Sequence, residues 1–580
     1  MHDLVIRQGT IVDGSGATAF EGDVAIDGGV IVSVGGKAGP GREEIDAKGH
    51  LITPGWVDIH THYDAQVLWD PYVSPSALHG VSTVVMGKCG VGVAPARPAH
   101  REDIVKMMEG IEEIPAAVLN AGLDWSWESF PEYLDSIERR PHVLDFATQV
   151  PHSALRLYVM GERGKKKDPA STGDIAAMAD ELERSLRAGA LGFSTSRTGI
   201  HKTSEGRHIP GSFALPDELI GIAQGIQRAG HGVFQMVSDF NPAETEFAWM
   251  TRLSIELGIP VHFLVYQLAY EPTKYKDLLA RTTEAVAAGA DFHNEVGTRP
   301  LGMLITLESE KHPFSHHPAY QEIAHLPLAE RVMTLRRPEI KARILAQETT
   351  QPDTFWRTTL ESYGNIYRLG DPPEHEPPPE HSVAAIAARE GRTPQDVIYD
   401  MLLEREGHEI LYCPLLSYGS HNFDILEEML NAPRALVSLG DGGAHCGLAI
   451  DAGSPTLFLH HWGRDRSRGR RMPVEHIVHM QTRRTAKAFG LLDRGLLMPG
   501  YKADINVIDF PRLRLLPPEW AQDLPANGRR LTQRASGYRT TVVSGVVTTR
   551  DGEYTGALPG RLIRGPQTVP IQMGKSALAA

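Results

Sequence analysis

Eight short apolar runs, several of them followed by helical stretches, constrain the fold of this chain more than any other feature. The runs begin after Gly55, and residues 174–190 between two of them place apolar residues at helical spacing. This alternation predicts a (β/α)8 TIM barrel, an α/β fold whose reactive groups lie at the carboxyl ends of the strands. The runs are VDIHTH, STVVMGKCG, FATQVPH, ALGFSTS, GVFQMVS, PVHFLVY, DFHNEV and ALVSLGDGGAH.

The two ends of the chain have a different pattern. Residues 1–54 alternate β-rich runs with Asp-Gly and Gly-Gly breaks, and the same pattern returns in residues 497–580, which predicts one small β-sandwich domain built from both ends. Residues 55–496 then form the barrel. Residues from about 309 to 408, between the seventh and eighth runs, are too long for a simple connection and predict an insertion over the barrel mouth.

Composition and charge exclude several classes of protein. Of the 580 residues, 41% are hydrophobic and 22% are charged, as in soluble globular proteins. The formal net charge is −14 and there is no Lys/Arg-rich run, which argues against a nucleic-acid partner. The N-terminus lacks a signal-peptide pattern, no apolar run approaches the roughly 20 residues that span a bilayer, and three cysteines are too few for a disulfide framework. We therefore expect a cytoplasmic protein without a membrane partner.

Two histidines at the end of the first run are the first candidate metal ligands. His60 and His62 are two residues apart, so on a strand their side chains point to the same face, at a spacing that suits one metal ion. In a chain with 26 histidines such a pair also arises by chance. Cys89 ends the second run. A lone cysteine is often a small buried hydrophobic residue, but this one lies among glycines on the same predicted rim.

Asp441, at the end of the eighth run, completes the predicted constellation. A buried carboxylate needs a cation or a partner, and beside two histidines and a thiolate it supplies the base that a metal-activated water requires. The alternative is that Asp441 caps the Gly-Gly turn that follows it. We expect His60, His62, Cys89 and Asp441 to bind metal, with Asp441 as the catalytic group.

Other polar residues near strand ends are candidates for substrate binding. An arginine there could hold a substrate carboxylate through two hydrogen bonds, although a structural role, such as a salt bridge or a helix cap, accounts for each residue equally well. Two more histidines, His201 and His208, lie in a loop that could cover the site. The substrate-binding candidates are His152, Arg156 and Tyr158 after the third run, Ser196 and Arg197 in the fourth, and His445 near Asp441.

These motifs together resemble the amidohydrolase superfamily, in particular its branch of D-aminoacylases and N-acyl-D-amino-acid deacylases. The resemblance rests on GWVDIHTHYD, the cysteine of the second run, the aspartate of the eighth and the C-terminal MPGYKADINVIDF, and it extends over essentially the whole chain. It implies a metal-dependent barrel with a small β-sandwich from both chain ends. His60 and His62 match the family's ligand pair, Cys89 matches a thiolate that replaces the carboxylated lysine of other members, and Asp441 matches the aspartate that binds metal and shuttles protons.

The chain departs from this family at the fifth and sixth runs. D-aminoacylases have a histidine at the end of each, and these two hold the tighter metal, whereas Val237 and Val265 stand at those positions here. We therefore expect one ion rather than two. Imidazole and thiolate ligands favour zinc, and iron, manganese or cobalt would also fit if Cys89 is not a ligand. Gln235, Asp239, His262 and Gln267 lie nearby without an assigned role.

Three functions fit this pattern. The first is hydrolysis of the amide bond of an N-acyl amino acid, with the D-configuration implied by the resemblance alone. The second is hydrolysis of a cyclic amide, carbamate or lactone at the same site. The third is a non-catalytic assembly protein that has lost its metal, although retention of both histidines and Asp441 argues against it. Barrels of this kind often form dimers or larger assemblies, so we also expect a homo-oligomer.

Overall fold

Eight parallel strands form the centre of the molecule. The computed structural model describes residues 1–438, 440–449 and 451–571. Each predicted run contains a strand, and consecutive strands pair in parallel, except that Gln149 interrupts the third and its side chain donates to the carbonyls of Phe193 and Val233. The strands are Trp56–Asp58, Val81–Met86, Asp145–Thr148 with Val150–Pro151, Gly192–Arg197, Val233–Ser238, Val261–Leu264, Phe292–Gly297 and Ala435–Ser438.

Backbone hydrogen bonds between the first and the eighth strand close this sheet into a barrel. Both bonds lie just beyond the strands, where the Asp441 amide donates to the His60 carbonyl over 3.0 Å and the His62 amide donates to the Gly442 carbonyl over 2.8 Å. Barrel strands are covered on both faces, which explains why their sequences read as continuous apolar runs. The predicted fold class is confirmed.

Helices follow most of the strands and cover the outside of the barrel. The helix predicted at 174–190 spans Thr172–Ala188, because Ser171 and Asp174 form a capping box that fixes its start. No helix of the described part of the chain has both the length and the apolarity to span a bilayer. The helices up to the seventh strand are Arg101–Ile111, Ala116–Gly122, Phe130–Glu138, His152–Met160, Glu162–Lys165, Thr172–Ala188, Pro216–Ala229, Ala243–Leu257 and Lys274–Ala287.

Strands from both ends of the chain pair in one nine-stranded sheet. The N-terminal strand His2–Ile11 pairs with three others, and Leu51–Pro54 pairs antiparallel with Ile505–Ile508, which joins the two chain ends. Gly28 and Gly29 both have positive φ, as the tight hairpin after Asp27 requires. The remaining strands of this sheet are Phe20–Asp27, Val30–Val34, Gly41–Asp46, Tyr538–Val543, Val546–Arg550 and Glu553–Tyr554.

The segment between the seventh and eighth strands has its own core. It contains a small antiparallel sheet of Gly302–Ile305, Leu411–Pro414 and Tyr367–Arg368, against which apolar helix faces pack. Its Lys311 forms an ion pair with Glu113, near the metal-ligand candidates. Its helices are Pro318–Gln321, Leu328–Leu335, Pro338–Leu345, Thr354–Leu360, Val383–Glu390, Pro394–Leu402 and Asp424–Leu430.

The chain after the eighth strand returns along the barrel before it enters the shared sheet. Two π-helical segments, Phe458–Asp465 and Met480–Arg484, join short α-helices there. The α-helices are Ser454–Leu457, Val474–His479 and Thr485–Ala488, and short strands outside the shared sheet are Arg514–Leu515, Glu519–Leu524, Gly528–Thr532 and Ala535–Ser536. The domain boundaries at 54/55 and 496/497 stay a prediction.

Candidate metal centre

Three predicted ligands meet inside the carboxyl end of the barrel. His60 and His62 follow the first strand and Cys89 follows the second, and one ligand atom of each lies within 4.8 Å of the others. The closest pair is His60 Nε2 and Cys89 Sγ, 3.2 Å apart. All three side chains are buried. Two imidazole nitrogens and a sulfur at these separations fit a single tetrahedral metal ion.

The carboxylate of Asp441, just after the eighth strand, lies beside the same ligand atoms. Its Oδ1 lies 3.7 Å from His60 Nε2 and 3.5 Å from His62 Nε2. The backbone of Asp441 is left-handed, with φ of +42°, a strained conformation that places the side chain over the histidines. Gly443 follows with φ of +90°, and a Cβ there would lie 2.7 Å from the His62 carbonyl oxygen, so the turn after Asp441 requires glycine.

Neighbouring charges shift the protonation of these groups as an interacting set. Burial raises the pKa of the Cys89 thiol, but the adjacent imidazoles of His60 and His62 bring it below its ordinary value. Burial likewise raises the pKa of Asp441, and the same two histidines lower it below the ordinary value. Burial disfavours protonation of His60, yet Cys89 and Glu295 together raise its pKa to about 9. These shifts favour the thiolate of Cys89 and the carboxylate of Asp441, the states that bind metal, whereas His60 must lose a proton before its Nε2 can bind one.

A glutamate lies beside the outer nitrogen of each histidine. His60 Nδ1 donates to Glu295 Oε2 over 2.7 Å, and Glu295 lies fully buried in the seventh strand. His62 Nδ1 lies 3.1 Å from Glu112 Oε1, at the end of the helix Arg101–Ile111. Because each glutamate occupies the Nδ1 side, the Nε2 atoms of both rings remain directed toward Cys89 and Asp441. This is the usual arrangement around a metal-binding histidine.

Apolar side chains from the fifth and sixth strands pack against Cys89. Val237 shares a small apolar cluster with Cys89, as the sequence predicts, and the other members are Leu264 at the end of the sixth strand and Tyr266 just after it. Val265 belongs to the main core together with Phe263, so its placement at the site is wrong by one residue of register. None of the histidines described for these strands joins the ligand cluster.

The polar candidates near the third and fourth strands have protein partners. Arg156 donates through Nε to Glu218 and through its two terminal nitrogens to the carbonyls of Gly164 and Asp168. His152 donates to the same Glu218 over 3.2 Å and accepts from Thr195 over 2.8 Å. Arg197 forms a two-bond fork with Glu246. Substrate contacts by these three residues stay predictions.

The remaining candidates lie at different distances from the centre. His445 follows Asp441 after one turn, remains partly exposed and lies 4.0 Å from Glu113 Oε2. His201 accepts from or donates to the Ser196 hydroxyl over 2.9 Å, and burial, opposed by Glu112, lowers the pKa of His201 to about 4. Tyr158 is bonded through its carbonyl to Arg97. His445 is thus the predicted substrate residue nearest Asp441 in the chain, and it is partly exposed.

Four residues of the site were not assigned a role from the sequence. They are Glu295, Glu112, Lys88 and Gln235. Glu295 has a weak signal, since it is an acidic residue within the strand-like run DFHNEV, whereas Asp291 only begins that run. Lys88 and Gln235 lie in apolar runs but become informative only when the barrel brings them to Glu295. Glu112 ends an ordinary amphipathic helix and carries no signal of its own.

Comparison with known proteins places the chain in a family. The profile described as "Amidohydrolase family" matches residues 43–549. The chain is 26% identical to an uncharacterized protein of Mycobacterium tuberculosis, covering 96% of this chain and 93% of that protein. It is 26% identical to N-acyl-D-aspartate deacylase of Alcaligenes xylosoxydans xylosoxydans, covering 87% and 86%, and 24% identical to D-aminoacylase of the same organism, covering 97% of both.

Solved structures share the fold. A D-aminoacylase crystal structure, described as defining a subset of amidohydrolases, has a TM-score of 0.63 at 22% identity and covers 97% of this chain and 100% of its own. The same values hold for N-acyl-D-glutamate deacylase of Bordetella bronchiseptica, solved with zinc and a phosphonate mimic of the tetrahedral intermediate. These findings confirm the predicted barrel and the predicted hydrolase of carbon–nitrogen bonds other than peptide bonds. This chain belongs to the amidohydrolase family.

Proposed function

We propose that this protein is a zinc-dependent deacylase that cleaves the amide bond of N-acyl amino acids, with preference for the D-configuration. The observation that carries the proposal is the meeting of His60, His62, Cys89 and Asp441 at one point of the barrel mouth. The names of the relatives support the substrate class, because they are deacylases of N-acyl-D-aspartate and N-acyl-D-glutamate and a D-aminoacylase.

The donor set fits a zinc ion. His60, His62, Cys89 and Asp441 would hold it, and the two Nε2 atoms and the sulfur already lie at mutual distances that one ion can bridge. When bound, zinc supplies Lewis acidity, which activates water and polarises a carbonyl group.

Asp441 carries the proton transfer in this mechanism. Its carboxylate takes up the proton of the attacking water and returns it to the amide nitrogen as the carbon–nitrogen bond breaks. Its lowered pKa keeps it ionised and ready to accept a proton. His445, one turn away and partly exposed, is our proposed substrate contact, and His152, Arg156, Tyr158 and Arg197 remain predictions.

One ion is our proposal for the metal content. Val237 and Leu264 pack on Cys89 from the fifth and sixth strands, so the side of the thiolate that faces them is apolar. A second zinc would need nitrogen or oxygen ligands there. The only imidazole described on the sixth strand, His262, lies deeper in the barrel, where Glu295 is the nearest carboxylate, 3.7 Å away.

The same apolar surface favours a second candidate function. A cyclic amide, carbamate or lactone would use the same ion and the same Asp441, and it would tolerate a site without the second metal. A metal-free assembly protein is the third alternative. Retention of the four ligand candidates in one buried cluster argues against it.

A matched substrate panel tests these alternatives. We expect purified, zinc-loaded protein to release free amino acid from N-acetyl-D-amino acids with acidic and apolar side chains, and to act far more slowly on their L-enantiomers. Turnover of lactones or cyclic imides without turnover of any N-acyl amino acid would favour the second function. Less than about a tenth of an equivalent of transition metal, together with no activity after metal addition, would favour the assembly protein.

Three further proposals concern the whole protein. The three cysteines are free and buried, which suits a reducing compartment, and we propose a cytoplasmic location on that ground. We also propose a homo-oligomer, because barrels of this kind often associate. The third proposal is the division of the chain into an end-built β unit of residues 1–54 and 497–580 and a barrel of 55–496 with its insertion; the nine-stranded sheet supports it.

A further inference from the structure

A buried polar network lies below the metal centre and takes no part in the mechanism above. Glu295 stands at its middle. Its Oε2 accepts from His60 Nδ1 over 2.7 Å and its Oε1 accepts from Lys88 Nζ over 3.1 Å. The side-chain amide of Gln235 reaches the same carboxylate over 3.5 Å. All four side chains are fully buried, so none of these contacts is shared with solvent.

The same network reaches Cys89 from two directions. Lys88 precedes Cys89 in the chain, and the side-chain Oε1 of Gln235 accepts from the backbone amide of Cys89 over 3.2 Å. That bond matters because Cys89 has a left-handed backbone with φ of +54°, a conformation that needs support from its surroundings. The ammonium of Lys88 is itself fixed, 4.4 Å above the ring of Phe489. One carboxylate therefore contacts His60 directly and the Cys89 backbone through a single intervening residue on each path.

We propose that Glu295 is a positioning residue of the metal centre, which orients His60 directly and Cys89 through Lys88 and Gln235. The proposal rests on the metal-dependent function inferred above. A carboxylate that accepts from Nδ1 fixes the ring with Nε2 free toward the metal. Without it, a buried Nδ1–H loses its partner, and the ring gains a second orientation that directs Nε2 away from Cys89.

Glu112 provides an internal comparison. It lies beside His62 Nδ1 as Glu295 lies beside His60 Nδ1, but its contact is longer, 3.1 Å, and neither carboxylate oxygen has a hydrogen bond to the described residues. Glu295 is held by an ammonium and an amide as well as by its histidine. Loss of Glu295 should therefore disturb the centre more than loss of Glu112.

The test measures the zinc dissociation constant by competition with a chromophoric chelator. We expect Glu295→Gln to weaken zinc binding about 10- to 100-fold, because an amide has a single acceptor oxygen, which cannot serve both His60 and Lys88, and carries no charge. Glu295→Asp should recover part of the loss, and Glu112→Gln should weaken binding less than Glu295→Gln. The matched control is Glu181→Gln, a buried glutamate on the helix Thr172–Ala188, for which the dissociation constant should not change.

A double-mutant cycle separates positioning from general loss of stability. If Lys88 acts through Glu295, Lys88→Met weakens zinc binding on its own but adds little to the Glu295→Gln variant. Additive losses in the double variant would overturn the proposed path, and an unchanged dissociation constant in Glu295→Gln would overturn the proposal itself. Should Glu295→Gln fail to fold, Gln235→Leu and Lys88→Met decide the matter, since each must weaken zinc binding if Glu295 positions the ligands.

Wild-type protein separates this proposal from the proposed function. If wild-type protein binds zinc tightly and hydrolyses N-acyl amino acids while Glu295→Gln binds zinc equally well, only the positioning role fails. If wild-type protein binds no zinc, the metal-dependent function fails first, and with it the role assigned to Glu295.

Discussion

Two parts of the barrel rim carry the same kinds of residue but differ in how those residues pair. The first rim, around strands one, two and eight, gathers the candidate metal ligands, whereas the second rim, around strands three and four, does not. On the first rim, the free nitrogens of His60 and His62 face Cys89 and Asp441, and no ammonium or guanidinium stands between them. On the second, His152 and Arg156 both bind the carboxylate of Glu218, and Arg197 is held by Glu246. A polar residue at a strand end therefore indicates a functional site only when its hydrogen-bond and ion-pair partners are known.

The two rims also differ in how their charged groups are paired. On the second rim, each positive group has a carboxylate of the same protein, so the buried ion pairs hold helices to the barrel. On the first rim, two imidazoles, a thiol and a carboxyl group meet in one buried place, where a bound metal cation would be favourable. Four measurements follow from this difference, from the largest effect to the smallest.

Asp441→Asn should lower kcat by about three powers of ten, because the proton acceptor is lost while the shape of the site is kept. Zinc content should remain near that of the wild type, since both histidines and Cys89 are intact. The measurement is steady-state turnover combined with metal analysis. Asp239→Asn is the matched control: this exposed aspartate follows the fifth strand, and its carboxylate accepts from Thr198 and Gly199. Full activity of Asp441→Asn would remove its catalytic role.

Arg156→Met should destabilise the protein by about 3 kcal/mol, because it leaves the Glu218 carboxylate buried with one partner fewer. We expect KM to change less than about threefold, since the Arg156 nitrogens are already engaged. Denaturant unfolding and steady-state kinetics on the same preparation distinguish a structural role of Arg156 from a substrate-binding role. A large rise in KM with unchanged stability would instead give Arg156 the substrate role predicted from the sequence.

Cys89→Ser should reduce kcat/KM by about a hundredfold and weaken zinc binding, because a serine hydroxyl is not ionised near neutral pH and is a poorer zinc ligand. Cys413→Ser is the control, a buried cysteine in the sheet of the insertion, distant in the fold from the ligand cluster. Equal zinc affinity in Cys89→Ser and in wild type would remove the thiolate from the ligand set and leave a site of histidines and carboxylate.

Acid should weaken the contribution of the Glu218 ion pairs on the second rim to the free energy of unfolding. Burial raises the pKa of Glu218, but His152 and Arg156 lower it from an ordinary value of 4.5 to about 2. A carboxyl with a depressed pKa stabilises the fold above its unfolded pKa and loses that contribution as pH falls toward its folded pKa. The stability difference between wild type and Glu218→Gln should therefore narrow by about 2 kcal/mol between pH 7 and pH 3. A constant difference would contradict the ion-pair assignment.

Much of the fold, and the meeting of the four candidate ligands, could be predicted from the sequence. The eight runs were recognisable because buried parallel strands are apolar on both faces, and the strand ends then located His60, His62, Cys89 and Asp441. The register of the sixth strand was less accessible, since Val261–Leu264 is apolar except for one histidine and offers no alternation to fix which residue faces the barrel axis.

The support around the ligands could not be read from the sequence. Glu295 contacts residues from the first, second and fifth strands, so its role depends on barrel closure rather than on any local pattern. Arg156 shows the opposite case. The sequence places an arginine near a strand end, but its partner Glu218 lies on another helix, and only the packing of those helices reveals that the charge is already neutralised.

The backbone hydrogen bonds that close the barrel join residues that are synthesised far apart in time. Asp441 donates to the carbonyl of His60, and 381 residues of synthesis (441 − 60) separate the two. At roughly 5 to 20 residues per second, this interval lasts on the order of 20 to 80 seconds. During that time the strand that seals the barrel does not yet exist, so His60, His62 and Cys89 cannot meet Asp441. In the metal site proposed above, the complete set of ligands would therefore assemble only after the eighth strand is made.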